Sequence, residues 1–385
     1  MQILIKNANI FTPIQHIPDG CILVDGQLIK AVGDSGALRT DSAATVIDAC
    51  GLKVIPGLVD VHIHGAGGYD MCGSGVGDAA AYLATKGTTS FLATTHFMLP
   101  HAELEAAVRQ IADVMARPPA GARILGIHME GPWVAADRSP FTDPALCYPL
   151  THEDVQCFVD ASHGQLRMIS FAPELPGALG VIPWLKQNHV IASMGHTNAD
   201  YETALKAIEL GVTHSTHTFN AMQPFHHRLP GALGAIFDRS DVCAELIADG
   251  FHVHPSAMRL LLKIKGARSV CLVSDAVPLA GLPAGTTHDW YGFQITTDGE
   301  ISTLLDGRPA GAYKLLHQAI RVVAAAHIAS YSEALLMAST VPARILNLKK
   351  GELKAGYDAD IVIVGPDGEP VLAMVEGSVV FSQIT

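Results

Sequence analysis

Histidines and acidic residues stand at the ends of several short apolar runs in the middle of the chain. The run LVDVHIH ends with His62 and His64, whose side chains share one face of an extended strand because they are two positions apart. Four later runs end in a similar way: RILGIHME in Glu130, HVIASMGH in His196, VTHSTH in His217 and SVCLVSD in Asp275. Imidazole and carboxylate groups are ligands of zinc and similar divalent ions. These residue types therefore indicate a divalent metal site.

A single histidine at a strand end is more often a structural or surface residue than a ligand. In a (β/α)8 barrel, however, the carboxyl ends of all strands meet at one mouth, so five such endings favour a shared site. A divalent ion there would lower the pKa of a bound water toward ~7 and would polarise a carbonyl group. We expect Asp275 to accept the water proton and to pass it to a leaving amine. The alternative is that Asp275 caps a helix, since VSDAVP can begin a turn.

The elements that must position these residues alternate between strands and helices over residues 52–346, which predicts a (β/α)8 barrel. The strand-like runs are LVDVHIH, TSFLATT, RILGIHME, LRMISFAPE, HVIASMGH, VTHSTH, AELIADG and SVCLVSD. Apolar periodicity predicts helices over residues 102–117, 201–211 and 255–266. A doubly wound open sheet is the alternative α/β architecture.

The two chain ends, residues 1–51 and 347–385, have strand character and little apolar surface of their own. We expect them to pair into one small β-sandwich domain beside the catalytic barrel, because neither end is long enough to be stable alone.

Charge and cysteine usage exclude several classes of protein. The 385 residues carry 25 Lys+Arg and 37 Asp+Glu, a net charge of -12, which disfavours nucleic-acid binding and anionic membrane surfaces. The seven cysteines are scattered without a CxxC pair, as is typical of reduced thiols. The N-terminus has no signal-peptide pattern, and no apolar run reaches ~18 residues. We therefore expect a cytoplasmic protein without a nucleic-acid or membrane partner.

A series of longer motifs extends along nearly the whole chain: PGLVDVHIHGAGG, HMEGPW, APEL, MGHTNA, THSTHTFNAM, HHRLPG, ADGFHVHP, LVSDA and GELKAGYDADIVIV. The series resembles the N-acetylglucosamine-6-phosphate deacetylases of the amidohydrolase superfamily. THxxNAM with HHRxPG and DGxH is typical of these deacetylases, whereas PGxxDxHxH marks only the superfamily. The resemblance implies a hydrolase that removes the acetyl group of N-acetylglucosamine 6-phosphate to give glucosamine 6-phosphate and acetate.

The resemblance also implies a ligand set. Glu130, His196 and His217 match the primary metal ligands of the family. His62 and His64 match the pair that holds a second ion, with Glu130 bridging the two. The cofactor would be one or two divalent ions, with zinc as the first choice and iron, manganese or cobalt as alternatives.

Further roles follow from the same resemblance. Asp275 matches the catalytic acid/base, and Asn220, Ala221 and His252 match residues that contact the sugar phosphate. Arg228 matches an arginine that reaches the phosphate in the neighbouring subunit, which implies a homodimer. Without the resemblance, the sequence around Arg228 also fits a solvated basic turn.

Some residues depart from the family pattern. Thr142 stands where relatives carry a histidine that polarises the substrate carbonyl, and threonine can donate a hydrogen bond but cannot become cationic. Loss of one strong donor would cost ~2–4 kcal/mol of transition-state stabilisation, which a second ion at His62 and His64 would offset. Ala312 replaces a serine, and Leu229 replaces an acidic residue.

These departures leave the substrate open. An N-acetylgalactosamine (6-phosphate) or an unphosphorylated acetamido sugar is the alternative substrate. A cyclic-amide hydrolase is the alternative enzyme, although such enzymes bridge two ions with a modified lysine where Glu130 stands here. A catalytically silent scaffold is the alternative from a different class.

Overall fold

A computed structural model describes residues 2–38, 44–138, 141, 143, 146 and 149–384 of the chain. Its strands are β1 (Gln2–Phe11), β2 (His16–Asp25), β3 (Leu28–Asp34), β4 (Thr45–Asp48), β5 (Lys53–Pro56), β6 (Leu58–Asp60), β7 (Gly65–Ala66), β8 (Tyr69–Asp70), β9 (Thr88–Thr95), β10 (Arg123–Glu130), β11 (Leu166–Phe171), β12 (Ile191–Met194), β13 (His214–Ser215), β14 (Cys243–Ile247), β15 (Val270–Val273), β16 (Thr287–Trp290), β17 (Phe293–Thr297), β18 (Ser302–Leu304), β19 (Ile361–Val364), β20 (Pro370–Val375) and β21 (Ser378–Ser382).

The α-helices are α1 (Val76–Thr85), α2 (His101–Ala116), α3 (His152–Ala161), α4 (Ala178–Gln187), α5 (Tyr201–Leu210), α6 (Gly231–Asp238), α7 (Pro255–Lys265), α8 (Leu316–Ala325), α9 (Tyr331–Leu335) and α10 (Val341–Ile345). A π-helical turn, Leu336–Thr340, connects the last two of them. None of the described helices is both long and apolar enough to cross a membrane.

Eight strands form the barrel, in the order β6, β9, β10, β11, β12, β13, β14 and β15, and each pair of neighbours is parallel. Backbone hydrogen bonds just beyond β6 and β15 join the two ends of this sheet. Asp275 N donates to His62 O at 2.9 Å, and His64 N donates to Ala276 O at 2.8 Å. The predicted (β/α)8 class is confirmed, with a β domain built from both chain ends.

Local sequence accounts for several of these elements. All eight residues of β9 are buried, as expected for a parallel strand that is covered on both faces. Helix α5 begins after Asp200, whose carboxylate accepts the Thr203 N–H. It ends at Leu210, one residue before the predicted end, because Gly211 has a φ of 140°. Helix α7 stops before Gly266, with a φ of 70°, for the same reason.

A second sheet joins the two chain ends in the strand order β21-β20-β19-β5-β1-β2-β3, with β4 paired to β1. Apolar residues from both ends share one core, including Ile5, Ile22 and Ile361. Strand β5 also belongs to this sheet and pairs with β1 and β19, although it lies beyond residue 51. The domain division at residues 51 and 347 stays a prediction.

Two small insertions lie against each other near the barrel mouth. One is the hairpin β7–β8, and the other is the three-stranded sheet β16–β18. Trp290 Nε1 donates a hydrogen bond to Asp70 Oδ2 at 2.6 Å, which ties one insertion to the other. The ring centroids of Trp290 and His64 are 6.0 Å apart, so this wall borders the residues of the predicted metal site.

Candidate metal centre

The predicted ligands lie at the carboxyl ends of the barrel strands or just beyond them. Glu130 is the last residue of β10, whereas His62, His196, His217 and Asp275 each follow the end of a strand by two residues. The predicted strands were longer than the observed ones because His196, His217 and Asp275 have φ values of 47°, 27° and 50°. A strand cannot continue through a positive φ, and such non-glycine conformations are concentrated at functional sites.

Glu130, His196 and His217 form one compact group. Glu130 Oε1 is 3.0 Å from His196 Nε2 and 3.0 Å from His217 Nε2, and the two imidazole nitrogens are 2.9 Å apart. Ligand atoms around a tetrahedral zinc with bonds of ~2.1 Å lie about 3.4 Å apart, so the observed spacing needs only a small expansion. Three buried ligand atoms of types that zinc prefers are therefore close enough together to bind one ion.

His62 and His64 form a second group on the other side of the same carboxylate. Glu130 Oε1 is 3.4 Å from His62 Nε2, and Glu130 Oε2 is 3.3 Å from His64 Nε2. Asp275 Oδ1 lies 3.4 Å and 3.2 Å from the same two nitrogens. Glu130 therefore touches both groups of histidines, and Asp275 lies beside the second.

The electrostatics of this centre favour a cation. Burial favours neutral imidazoles, but the carboxylates of Asp275, Glu245 and Glu130 raise the pKa of His62 well above its usual value. Burial opposes the charge on His64 also, yet Asp275 and Glu130 raise its pKa to about 9. Burial would raise the pKa of Asp275, but the two histidines hold it at about 2. The field that holds protons on these imidazoles equally attracts a divalent ion.

Glu245 is a further functional candidate, one that is not among the site residues predicted from the sequence. It is fully buried on β14, and its Oε2 accepts hydrogen bonds from His62 Nδ1 at 2.9 Å and from the His217 N–H at 3.0 Å. Because a carboxylate only accepts, Nδ1 of His62 carries the proton and Nε2 faces the centre. A charged residue inside the apolar run AELIADG was the available signal, since a buried carboxylate needs a partner.

A cavity of about 540 Å³ opens over the centre. Among its lining residues are Asn220, Ala221 and His252, which were predicted to contact substrate. His252 Nδ1 donates to Asp249 Oδ2 at 2.7 Å, and this carboxylate raises the pKa of His252 against the opposing effect of burial.

Of the two other predicted substrate contacts, only Arg228 belongs to the described residues, and it does not line this cavity. Arg228 is exposed, lines a separate cavity of about 380 Å³, and directs its guanidinium to His227 Nε2 at 2.9 Å. Thr142 lies outside the described residues. Within one chain, Arg228 is therefore not brought to the predicted centre.

The cavity also has walls that the sequence did not reveal. Arg138, Arg308, His96 and Trp290 line it together with the predicted residues. The guanidinium of Arg138 donates to the side-chain oxygen of Asn198, which holds the arginine beside the cavity. No motif marks these residues because they lie far apart in the sequence, and only the folded chain brings them together.

Comparisons with known proteins agree with this geometry. Residues 53–380 match the Amidohydrolase family. An N-acetylglucosamine-6-phosphate deacetylase of Bacillus subtilis is 32% identical over 98% of this chain and 97% of its own length. An N-acetylgalactosamine-6-phosphate deacetylase of Escherichia coli O157:H7 is 33% identical over 80% of this chain and 82% of its own length.

A solved structure gives the same result. A mutant N-acetyl-D-glucosamine-6-phosphate deacetylase of Mycobacterium smegmatis, in complex with N-acetyl-D-glucosamine-6-phosphate, has a TM-score of 0.90 and 29% identity, covering 99% of this chain and 100% of its own. The chain therefore belongs to the amidohydrolase family, within the group whose relatives are named N-acetylglucosamine-6-phosphate deacetylases.

Proposed function

We propose that this protein is a metal-dependent hydrolase that removes the acetyl group from N-acetylglucosamine 6-phosphate, giving glucosamine 6-phosphate and acetate. The observation that carries the proposal is that the five predicted ligands and Asp275 lie together at one cavity, which all of them line except the fully buried His62. The size of the cavity suits a small molecule. Relatives named for this activity match nearly the whole chain, which supports the same substrate class.

The donor set fits one or two divalent ions. Glu130, His196 and His217 would hold the first, and His62 and His64 with Glu130 the second. We propose zinc, because mixed imidazole and carboxylate ligands suit it, with iron, manganese or cobalt as alternatives. A bound ion would supply Lewis-acid activation of water and of the acetyl carbonyl.

The chain's own residues would hold and move the protons. Asp275 would accept the proton of the attacking water on a carboxylate oxygen and then donate it to the amine nitrogen as the amide bond breaks. Glu245 would act as a positioning residue: its hydrogen bond fixes the tautomer and the orientation of His62. The walls of the cavity would limit access of bulk water to the acetyl group.

The phosphate of the substrate needs cationic partners in a protein with a net charge of -12. His252 is suited to this role because Asp249 favours its protonated form. Arg138 lies on the same cavity and adds a second cation that was not predicted. Together with the side-chain amide of Asn220 and the backbone at Ala221, they would orient the sugar phosphate.

We also propose that the enzyme is a homodimer in which Arg228 reaches the active site of the neighbouring subunit. The supporting observation is that Arg228 is exposed and does not line the cavity of its own chain. We place the enzyme in the cytoplasm, because the six described cysteines are free thiols.

A substrate panel tests the proposed reaction. Purified enzyme is incubated with N-acetylglucosamine and N-acetylgalactosamine, each with and without the 6-phosphate, and the release of free amine is measured. We expect the highest kcat/KM with N-acetylglucosamine 6-phosphate. A preference for N-acetylgalactosamine 6-phosphate would keep the reaction and change the substrate, in line with the relative from Escherichia coli. Absence of amine release from all four sugars by metal-loaded enzyme would refute the proposal.

A further inference from the structure

A separate set of metal-competent side chains lies at the wall of the cavity, which one of them, His96, helps to line. Asp70 and Cys72 come from the end of the hairpin β7–β8 and the turn after it, and His96 follows β9 directly. A carboxylate oxygen, the thiol sulfur and an imidazole nitrogen all lie within 4.8 Å of one another. This set, which we call the thiol cluster, shares no residue with the ligand groups around Glu130.

The carboxylate of the thiol cluster is oriented by three donors. Asp70 Oδ1 accepts the Cys72 N–H at 2.7 Å and the Tyr291 hydroxyl at 3.1 Å, and Oδ2 accepts Trp290 Nε1 at 2.6 Å. A carboxylate has about four lone-pair positions, so the three contacts leave about one for a further partner. Carboxylates that bind metals are held by outer hydrogen bonds of this kind.

The imidazole of the thiol cluster has a nitrogen without a partner. His96 is 2% exposed, and its Nε2 has no hydrogen-bond partner among the described residues. Its Nδ1 accepts only a long hydrogen bond from the Met98 N–H, at 3.3 Å. Burial lowers the pKa of His96, which favours the neutral ring at physiological pH. Neutral imidazole is the form that binds metals.

We propose that Asp70, Cys72 and His96 form an additional metal site of thiolate, imidazole and carboxylate ligands that binds Zn²⁺ and, as a substitute, Co²⁺. The buried thiol would lose its proton to solvent when the ion binds, and a Zn–S bond replaces the S–H bond. Coordination through Nε2 of His96 moves the ring proton to Nδ1 and gives up the long hydrogen bond from Met98.

An ion at this position would act on the wall of the cavity. Trp290 lines the cavity and is held by Asp70, and the ring centroids of Trp290 and Tyr291 lie 5.5 Å and 4.3 Å from that of His96. Binding would fix the carboxylate and the imidazole that support these two rings. The site would therefore stabilise the wall formed by β16 and β17 without taking part in the proposed reaction.

Cobalt spectroscopy on the intact protein tests this site independently of the proposed function. The protein is stripped with a chelator and reloaded with Co²⁺, and the near-ultraviolet absorption is recorded during the titration. A thiolate-to-cobalt charge-transfer band can arise only from a cysteine ligand, and the candidate catalytic centre has none. We expect the band in wild-type protein and its complete loss in Cys72→Ala.

Two further variants keep the test decisive. Cys271→Ala is the matched control, because Cys271 is also buried but belongs to none of the metal-competent groups among the described residues. We expect it to keep the band and the full metal content, whereas Cys72→Ala loses one ion per chain. Asp70→Asn should need about 10-fold more Co²⁺ to reach the same band, and it replaces Cys72→Ala if that variant does not fold. A wild-type protein without the band, or a Cys72→Ala protein that keeps it, would overturn the proposal.

Discussion

Glu245→Gln is the substitution that best separates the roles of charge and hydrogen bonding around the candidate centre. In the native protein one oxygen, Oε2, accepts both the His62 Nδ1–H and the His217 N–H. A glutamine can place its amide oxygen in the same position and accept the same two bonds. The substitution therefore removes the negative charge behind His62 and leaves the geometry in place.

The expected magnitude follows from the buried position of the carboxylate. Loss of an outer partner of a metal-ligating histidine lowers metal affinity by about 10- to 100-fold, which corresponds to about 1.4–2.7 kcal/mol. The loss of affinity should be largest for the ion held by His62 and His64. The reason is that the side chain of Glu245 contacts the imidazole of His62 but only the backbone of His217. Glu245→Leu should be more severe, since it leaves two buried donors unpaired at about 1–3 kcal/mol each.

Metal content and chelator competition measure this effect without an activity assay. Wild-type protein and Glu245→Gln are loaded with Zn²⁺, dialysed, and analysed for bound metal while circular dichroism monitors folding. We expect the variant to keep the ion at Glu130, His196 and His217 and to lose the second. Asp60→Asn is the matched control, because Asp60 is equally buried but hydrogen-bonds to the backbone of His62 and to Ser274 rather than to an imidazole. Wild-type affinity for both ions in Glu245→Gln would refute the positioning role.

Three further substitutions test the proposed reaction. Asp275→Asn should keep the metal at Glu130, His196 and His217 while kcat falls by about 10²- to 10⁴-fold, and full activity would remove the proton-transfer role. Arg228→Ala should raise KM for phosphorylated substrate only, measured as amine release with and without the 6-phosphate, and equal losses on both substrates would contradict the phosphate contact. Asp249→Asn should lower the pKa of His252, because Asp249 raises it in the native protein; the cationic form is then lost at lower pH. KM for phosphorylated substrate in this variant should match wild type at acidic pH. It should be about fivefold higher over the pH range in which His252 is cationic in the wild type but neutral in the variant, the difference of about 1 kcal/mol between a charged and a neutral hydrogen bond. If the ratio of the KM of Asp249→Asn to the KM of the wild type does not change with pH, the result would contradict the proposed contact between His252 and the phosphate.

Much of the fold and of the ligand set was readable from the sequence because the signals are local. The run RILGIHME coincides with β10, and Gly211 and Gly266 mark the ends of two predicted helices within one residue. The candidate ligands could be chosen because the carboxyl ends of all strands in one barrel lie on the same face, independent of the conformation of the loops.

Other features depended on contacts between distant parts of the chain. Glu245 meets His62 across 183 positions of sequence, and the thiol cluster joins a hairpin to the end of another strand. No local pattern encodes such a pair, because each partner is chosen by how loops and strands pack rather than by spacing.

The sequence by itself determined the barrel, the chemistry of the ligands and the family, since periodicity and residue type depend on neighbours in the chain. The tertiary structure alone decided that Glu245 supports His62, that Arg138 and Trp290 form the walls of the cavity, and that Arg228 points elsewhere. The physical reason is that burial and charge partners are properties of the packed chain, and they exist only once all strands have closed around the same axis.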